Sequence, residues 1–298
     1  MTDVQQELRN KLEGLERMPT IPAVLYPLIQ YLELPPDQME IQKVVDLISQ
    51  DKSLAAQCLH MANSPLFGRW QKVNSVRSAV VSLGMQRMRD IAISCSVLAL
   101  LPSGGSDVDP VVFWEHSLGC ALVSRQFARK IGFSEPGKAY LAGLLHDIGI
   151  VAHLWIIPAE FQQCLETAAA KGIALHEAEI AYIGTDHCHT GKILGERWSL
   201  PAEIIATISC HHDPETASTQ RELVSIISLS DLLCRMNGLG YGYIEERQVT
   251  FTEESAFAVL LSECPALRTF DLARFTFELE GYMEEVHRLV SVLYRGGR

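Results

Sequence analysis

The chain has 298 residues, of which 48% are apolar and 20% charged, and it carries a net charge of −11. That length buries a substantial core, and the apolar-to-charged balance excludes a largely disordered chain. The acidic surplus excludes nucleic acid or an anionic membrane held by general electrostatics, while a local basic pocket for a phosphate ligand stays compatible with it.

At the start of the chain, Met1 to Glu7 lacks the basic and apolar regions of a signal peptide. The longest apolar run, Ile91 to Leu101, is too short to span a bilayer, so a cytoplasmic protein with no membrane contact is expected. Helical periodicity dominates from here on, with no series of alternating strands. Val24, Leu25, Leu28, Ile29 and Leu32 form one apolar stripe, after Pro22 at a helix start. Val44, Val45, Leu47 and Ile48 form a second. A third helix runs from about Ser53 to Ala62 and is stopped by Asn63-Ser64-Pro65; that stop and Trp70 are read as packing, with a partner surface as the alternative. Val76 to Leu83 is a short helix ended by Gly84, and Met85 to Leu101 is a long one.

Pro102 to Asp109 is the clearest linker, rich in glycine and serine. It divides a first lobe, 1–103, from a second, 108–235, and 236–298 follows as a helical extension. Asp109 caps a helix with Pro110 at its first position, running through Ala128. Further helices are expected at Gly137–Leu154, Pro158–Lys171, His176–Ile183, Asp186–Trp198, Pro201–Cys210 and Arg221–Met236, with Gly172 and Gly184 at C-terminal stops. A Gly/Tyr-rich turn, Asn237 to Tyr243, precedes helices near Glu253–Glu263 and Asp271–Tyr294. Within this extension, Phe270, Leu272, Phe275, Phe277 and Leu279 suit docking onto the bundle or a homodimer contact. The expected fold is an all-α, two-lobed helical bundle.

The chemistry lies in His116, the dyad His146-Asp147, His187, the dyad His211-His212, and Asp231. Each falls in a helical segment, and Asp147 and Asp231 stand in apolar surroundings where an ionised carboxylate is costly without a cation beside it. Five imidazoles and two carboxylates are what a mono- or dinuclear metal site inside a helical bundle requires. One dyad cannot do this alone, because adjacent helical residues project about 100° apart. The eight cysteines, 58, 95, 120, 164, 188, 210, 234 and 264, include no Cys-x-x-Cys pair and read as reduced, mostly buried thiols. Cys188 and Cys210 adjoin ligand histidines but point away from them on a helix, which makes them packing residues. His60, His153 and His287 read as hydrogen-bonded or solvated, and His176 and His189 are left out of the site. No Gly-x-x-x-x-Gly-Lys or Gly-x-Gly-x-x-Gly loop occurs, which removes the main support for kinase, ATPase and dehydrogenase readings.

The order His116, His146-Asp147, Asp231 resembles the metal pattern of HD-superfamily phosphohydrolases. His187 followed by Gly191, then His211-His212, is similar to the subgroup that contains cyclic-dinucleotide phosphodiesterases. Met18-Pro-Thr-Ile-Pro-Ala-Val, Met61-Ala-Asn-Ser-Pro-Leu-Phe-Gly68, Ala79-Val-Val-Ser-Leu-Gly84 and Phe113-Trp-Glu-His-Ser117 resemble the HDOD family over about residues 15 to 235. This resemblance implies a bacterial signal-transduction module that works through protein–protein contacts. It also implies a divalent-metal site of one or two ions held by the seven residues, with iron, manganese, zinc and nickel all compatible. Signalling proteins are the expected partners, and a phosphate-containing small molecule is the other ligand considered. The alternative it implies is a working metal-dependent phosphohydrolase on a nucleotide or cyclic dinucleotide, with Asp147 as its catalytic residue. Two departures weigh against catalysis: Ile150 stands where those phosphodiesterases have lysine, and Asp213-Pro214-Glu215 follows His211-His212 in place of their Gly-Tyr-Pro motif.

Overall fold

A computed structural model describes the chain apart from residues 1, 16–17, 19–21, 31–37, 39, 68–71, 103–108, 247–249 and 296–298 and the side chains of 110 and 292–295. Most of the expected linker, together with Leu32 and Trp70, lies outside the described residues. Among those described, every regular element is helical. The chain falls into two compact units, one of Met1–Pro19 with Leu101–Phe277 and one of Thr20–Leu100 with Glu278–Arg298. These units interleave along the chain, whereas the divisions expected from the sequence, 1–103, 108–235 and 236–298, run consecutively. Helix α1 (Asp3–Gly14) accounts for part of the difference, because it packs on helices from the second half of the chain.

In the second unit, helices α2 (Leu25–Gln30), α3 (Ile41–Ser49), α4 (Lys52–Ala62) and α5 (Val76–Leu83) all pack on α6 (Met85–Leu98), whose residues Met88 to Val97 are buried. Local chemistry sets the boundaries. The Asp51 carboxylate accepts from the Ser53 and Leu54 amides at 2.8 and 3.1 Å, closing the orphan donors at the start of α4. At its other end the Asn63 side chain donates to Leu59 O and Val73 O and accepts from Val73 N, so Asn63 both stops the helix and pins the returning chain.

The first unit is built from α7 (Pro110–Ile131), α8 (Pro136–Leu145), α9 (Ile148–Ile156), α10 (Pro158–Lys171), α11 (Leu175–Ile183), α12 (His187–Arg197), α13 (Ala202–Cys210), α14 (Arg221–Met236) and α15 (Ser255–Glu263). Asp109 caps α7 by accepting from Val111 N at 2.9 Å. Its long apolar face packs along α8 and α14, while α12 packs on α9 and α13. Near the start of helix α16 (Leu272–Arg295), Phe275 together with Phe270 packs around Phe127 at ring separations of 5.2 to 5.7 Å. This is the docking outcome for Phe270 and Phe275; Phe277 is 74% exposed.

One expected element is corrected. The continuous helix expected at Gly137–Leu154 is two helices, α8 and α9, broken at His146-Asp147. Asp147 takes φ −101° and ψ 18° in the N-cap position of α9, yet its carboxylate caps no backbone amide. An aspartate there ordinarily accepts from the first turn, so this carboxylate is committed elsewhere. Pro136–Ile156 is also apolar and long enough to cross a membrane by composition, a longer stretch than Ile91–Leu101, but 89% of that window is buried inside the protein.

Candidate metal centre

The break in the helix turns the dyad inward. His146 Nε2 and Asp147 Oδ2 lie 3.1 Å apart. Around them α7 contributes His116, α12 contributes His187 from its first turn, the end of α13 contributes His211 and His212, and α14 contributes Asp231. The structure brings all seven together. His116, His146, Asp147, His187, His211 and Asp231 are each no more than 2% exposed.

The two oxygens of Asp147 face different histidines. Oδ1 lies 3.1 Å from His187 Nε2 and 3.2 Å from His211 Nε2; Oδ2 lies 3.1 Å from His146 Nε2 and 3.5 Å from His116 Nε2. Asp231 Oδ1 lies 3.2 Å from His116 Nε2. His187 Nε2 and His212 Nε2 approach to 3.0 Å. Two groups result, one around His116, His146 and Asp231 and one around His187, His211 and His212, with Asp147 between them.

Four of the rings are oriented from behind. A carbonyl oxygen can only accept, so His116 Nδ1–H donates to Leu239 O at 2.6 Å, His146 Nδ1–H to Gly143 O at 2.8 Å and His211 Nδ1–H to Ile208 O at 3.1 Å. His187 Nδ1–H donates to the Glu179 carboxylate at 2.7 Å. Each of these rings therefore turns Nε2 and its lone pair into the centre, the arrangement that second-shell acceptors impose on metal-binding imidazoles. With both rings neutral, His116 and His146 would set Nε2 lone pairs against each other at 3.3 Å, so this contact needs a proton or a metal ion in it. Buried atoms left this way call for a cation among them.

The electrostatics agree. Burial drives both carboxyls toward the neutral form, but His146 and His187 beside Asp147, and Arg235 beside Asp231, outweigh it and hold both well below the ordinary carboxylate range. Burial also opposes charge on His116, yet Asp147 and Asp231 raise it to about 10. His212 goes the other way, pushed well down by burial and by the neighbouring imidazoles. Without a metal the centre must hold protons on some of its histidines to balance two buried carboxylates; a divalent ion supplies the same charge and uses the inward lone pairs. The residues present thus fit a divalent metal.

Several participants were not expected from the sequence. Glu179 of α11 is fully buried, accepts from the His187 backbone N–H and ring and from His153 Nδ1–H, and is held down at about 2: burial raises it, and the two histidines outweigh that. His153 also contacts Thr190 Oγ1 at 3.0 Å, so it is a hydrogen-bonded core residue as expected. Arg235 binds both oxygens of Asp231 at 3.0 to 3.2 Å from one turn along α14, an i,i+4 spacing visible in the sequence. His176, left out of the site, stacks on His212 at a ring separation of 4.0 Å. Leu239 and Tyr241 of the Gly/Tyr-rich turn cover His116, with the Tyr241 ring 4.8 Å from it. Two cysteines also reach the centre: Cys120 Sγ lies 3.5 Å from His116 Nε2, and Cys188 Sγ lies 3.8 Å from His211 Nδ1. Cys188 is thus corrected from a thiol turned away from the histidines to one beside a histidine of another helix. His189 is 40% exposed, outside the cluster, as expected. A cavity of about 50 Å³ lined in part by His176, His211, His212, Asp231, Arg235 and Glu245 adjoins the centre.

Residues 18–214 match the HDOD domain family model. The structure is similar to that of an HDOD domain protein with unknown function from Geobacter sulfurreducens, at 29% identity over 97% of this chain and 98% of that one, with a TM-score of 0.85. A candidate phosphohydrolase from Shewanella amazonensis SB2B shares the fold at 21% identity, covering 96% of this chain and 97% of that one, with a TM-score of 0.71. Among curated proteins, an uncharacterized protein of Treponema pallidum (strain Nichols) is 25% identical over 225 residues, which are 75% of this chain and 43% of that protein. The chain therefore spans less than half the length of that relative.

Proposed function

The chain belongs to the HDOD domain family, and on that premise we propose that it is a signal-transduction module that works through contacts with other signalling proteins, with a divalent-metal centre that is structural or sensory. His116, His146, Asp147, His187, His211, His212 and Asp231 would hold the metal. The observation that carries this reading is the burial of His116, His146, Asp147, His187, His211 and Asp231, each no more than 2% exposed. The cavity beside His211, His212 and Asp231 measures about 50 Å³, against the roughly 300–1,000 Å³ of pockets that take drug-sized ligands. That space suits an ion or a water, and a nucleotide does not enter it without movement of the covering groups.

A second reading, an active metal-dependent phosphohydrolase, is favoured by the way Asp147 presents one oxygen to each histidine group. A bound metal pair would lower the pKa of a water and neutralise phosphoryl oxygens. In that case Asp147 spaces the two groups, and Glu179 and the carbonyls behind the histidines keep their Nε2 atoms aimed inward.

Both readings are tested by elemental analysis of protein purified without a metal-affinity tag, alongside a panel of phosphomonoesters, phosphodiesters and cyclic dinucleotides. The module reading expects one or two equivalents of divalent metal in the wild type, none in His146→Ala/Asp147→Ala, and no hydrolysis by either. Hydrolysis that disappears with Asp147→Ala overturns it in favour of the enzyme.

A further inference from the structure

Resting on the metal-centre reading above, we propose that the centre opens into a neighbouring cleft through the Arg235–Glu245 ion pair. The cleft binds a small molecule by its oxyanion, a carboxylate or phosphoryl group, which takes the place of Glu245 on Arg235. It measures about 470 Å³, within the roughly 300–1,000 Å³ of small-molecule sites. Leu232, Arg235 and Glu245 line both this cleft and the 50 Å³ cavity, whereas His211, His212 and Asp231 line the small cavity alone. The three shared side chains therefore stand where the two spaces meet. Two of them are paired, Arg235 Nη1 donating to the Glu245 carboxylate.

The two ends of this pair are held unequally. Arg235 lies in the last turn of α14, and its guanidinium keeps contacts of 3.0 to 3.2 Å with both oxygens of Asp231. Glu245 meets it through Nη1, from a segment without regular structure and next to Ile244, which is 87% exposed. Turning the Glu245 side chain away frees Nη1 toward the cleft and leaves the contacts with Asp231 intact. Among the described residues, Arg235 is the one arginine or lysine lining either space. A planar guanidinium accepts carboxylates and phosphates through charge-assisted hydrogen bonds, and the group it now holds is itself a carboxylate. An incoming oxyanion thus exchanges like for like and keeps the charge of Arg235 balanced. Leu232, Met236, Tyr241 and Tyr243 give the cleft an apolar and aromatic wall, and Tyr243 is fixed there by donating its hydroxyl proton to Ile173 O at 3.0 Å. That wall suits a ligand with an apolar body behind its anionic end.

The test uses the full-length chain loaded with zinc, with the loading checked by elemental analysis. Zinc release to phenanthroline, an uncharged chelator, is timed with and without phenylphosphonate or benzoate, and binding of each anion is measured by calorimetry. Glu245→Gln is expected to release zinc roughly tenfold faster and to bind the anions roughly tenfold more tightly, the size of one charge-assisted hydrogen bond. In the wild type the anions speed zinc release, and Arg235→Met binds neither of them. If Arg235→Met fails to hold zinc, Glu245→Gln against the wild type decides alone. A gain for one anion only supports the proposal and identifies the group as phosphoryl or carboxylate. Faster release from Glu245→Gln without any gain in anion affinity is what a pair that serves packing alone predicts, and it overturns the proposal. Zinc held by the wild type with no effect of either anion overturns the entrance and leaves the centre standing. A wild type that holds no zinc overturns the centre and the entrance together.

Discussion

Glu179 shows how much of this centre depends on residues that never face it. Its carboxylate is the acceptor that fixes the tautomer of His187 and holds the start of α12 through the His187 amide. Glu179→Gln keeps the shape but removes the charge and one acceptor oxygen. Loss of such outer-shell partners costs about 10–100-fold in metal affinity, and that is the drop expected in a competitive metal titration, with the helical content retained. An affinity unchanged from the wild type would make Glu179 a packing residue only. Neither Glu179 nor Cys120 stands out in the sequence, because Glu179 lies in an ordinary amphipathic stretch and Cys120 is one of eight similar thiols. The one local signal for Cys120 was its i,i+4 spacing from His116.

At the scale of elements, α9 and α12 approach so closely that a side chain has no room between them. A Cβ built on Gly149 falls 2.0 Å from His187 O and 2.7 Å from Gly191 N, so glycine is required here for close approach. Gly149→Ala forces apart the two helices that carry Asp147 and His187, at a cost of about 3 kcal/mol or more. Denaturant unfolding should show that loss together with weakened metal binding; a stable, metal-loaded variant would contradict the close packing. Helices α8 and α13 are joined differently, by Lys138 reaching Glu203 at 2.9 Å, while the same ammonium meets Glu135 at the head of α8 at 3.1 Å. Partial burial raises the Glu203 carboxyl, but the hydrogen bond from Lys138 outweighs it and leaves the pKa below its ordinary 4.5. A lowered carboxyl contributes stability above the ordinary carboxylate range and loses it as the pH falls through its own folded-state value. Acid unfolding of Lys138→Met should therefore be less pH-dependent below about pH 4.5 than that of the wild type. Identical acid limbs would remove the pair from the account.

At the scale of the whole molecule, a ligand that binds only the native state stabilises it by mass action, by about 4 kcal/mol at a thousandfold excess over Kd. For a chain of this size that corresponds to a shift in Tm on the order of 10 °C. Calorimetry with and without a chelator should show this drop in the wild type and none in Asp147→Ala. The loosening belongs to one unit: hydrogen exchange on metal removal should accelerate in α7, α8, α9, α12, α13 and α14 and stay unchanged in α3 to α6. Acceleration spread evenly over both units would mean that the centre is not what holds the first unit together.

The sequence by itself determined the helical class, most helix boundaries and the seven residues of the candidate centre. Apolar periodicity, caps such as Asp51 and Asp109, and stops such as Asn63 are local properties that a short window of residues carries. The order of His116, His146-Asp147, His187, His211-His212 and Asp231 pointed to a metal before any geometry. Only the tertiary structure decided that these residues meet, which ring nitrogens face inward, and that Leu239, Tyr241, Glu179 and Cys120 belong beside them. It also decided that the helix expected through the dyad breaks there, and that Met1–Pro19 packs with Leu101–Phe277. The physical reason is the same in each case. These features are contacts between residues far apart in the chain, set by how helices pack, and packing directions are a property of the assembled core that no local stretch of sequence contains.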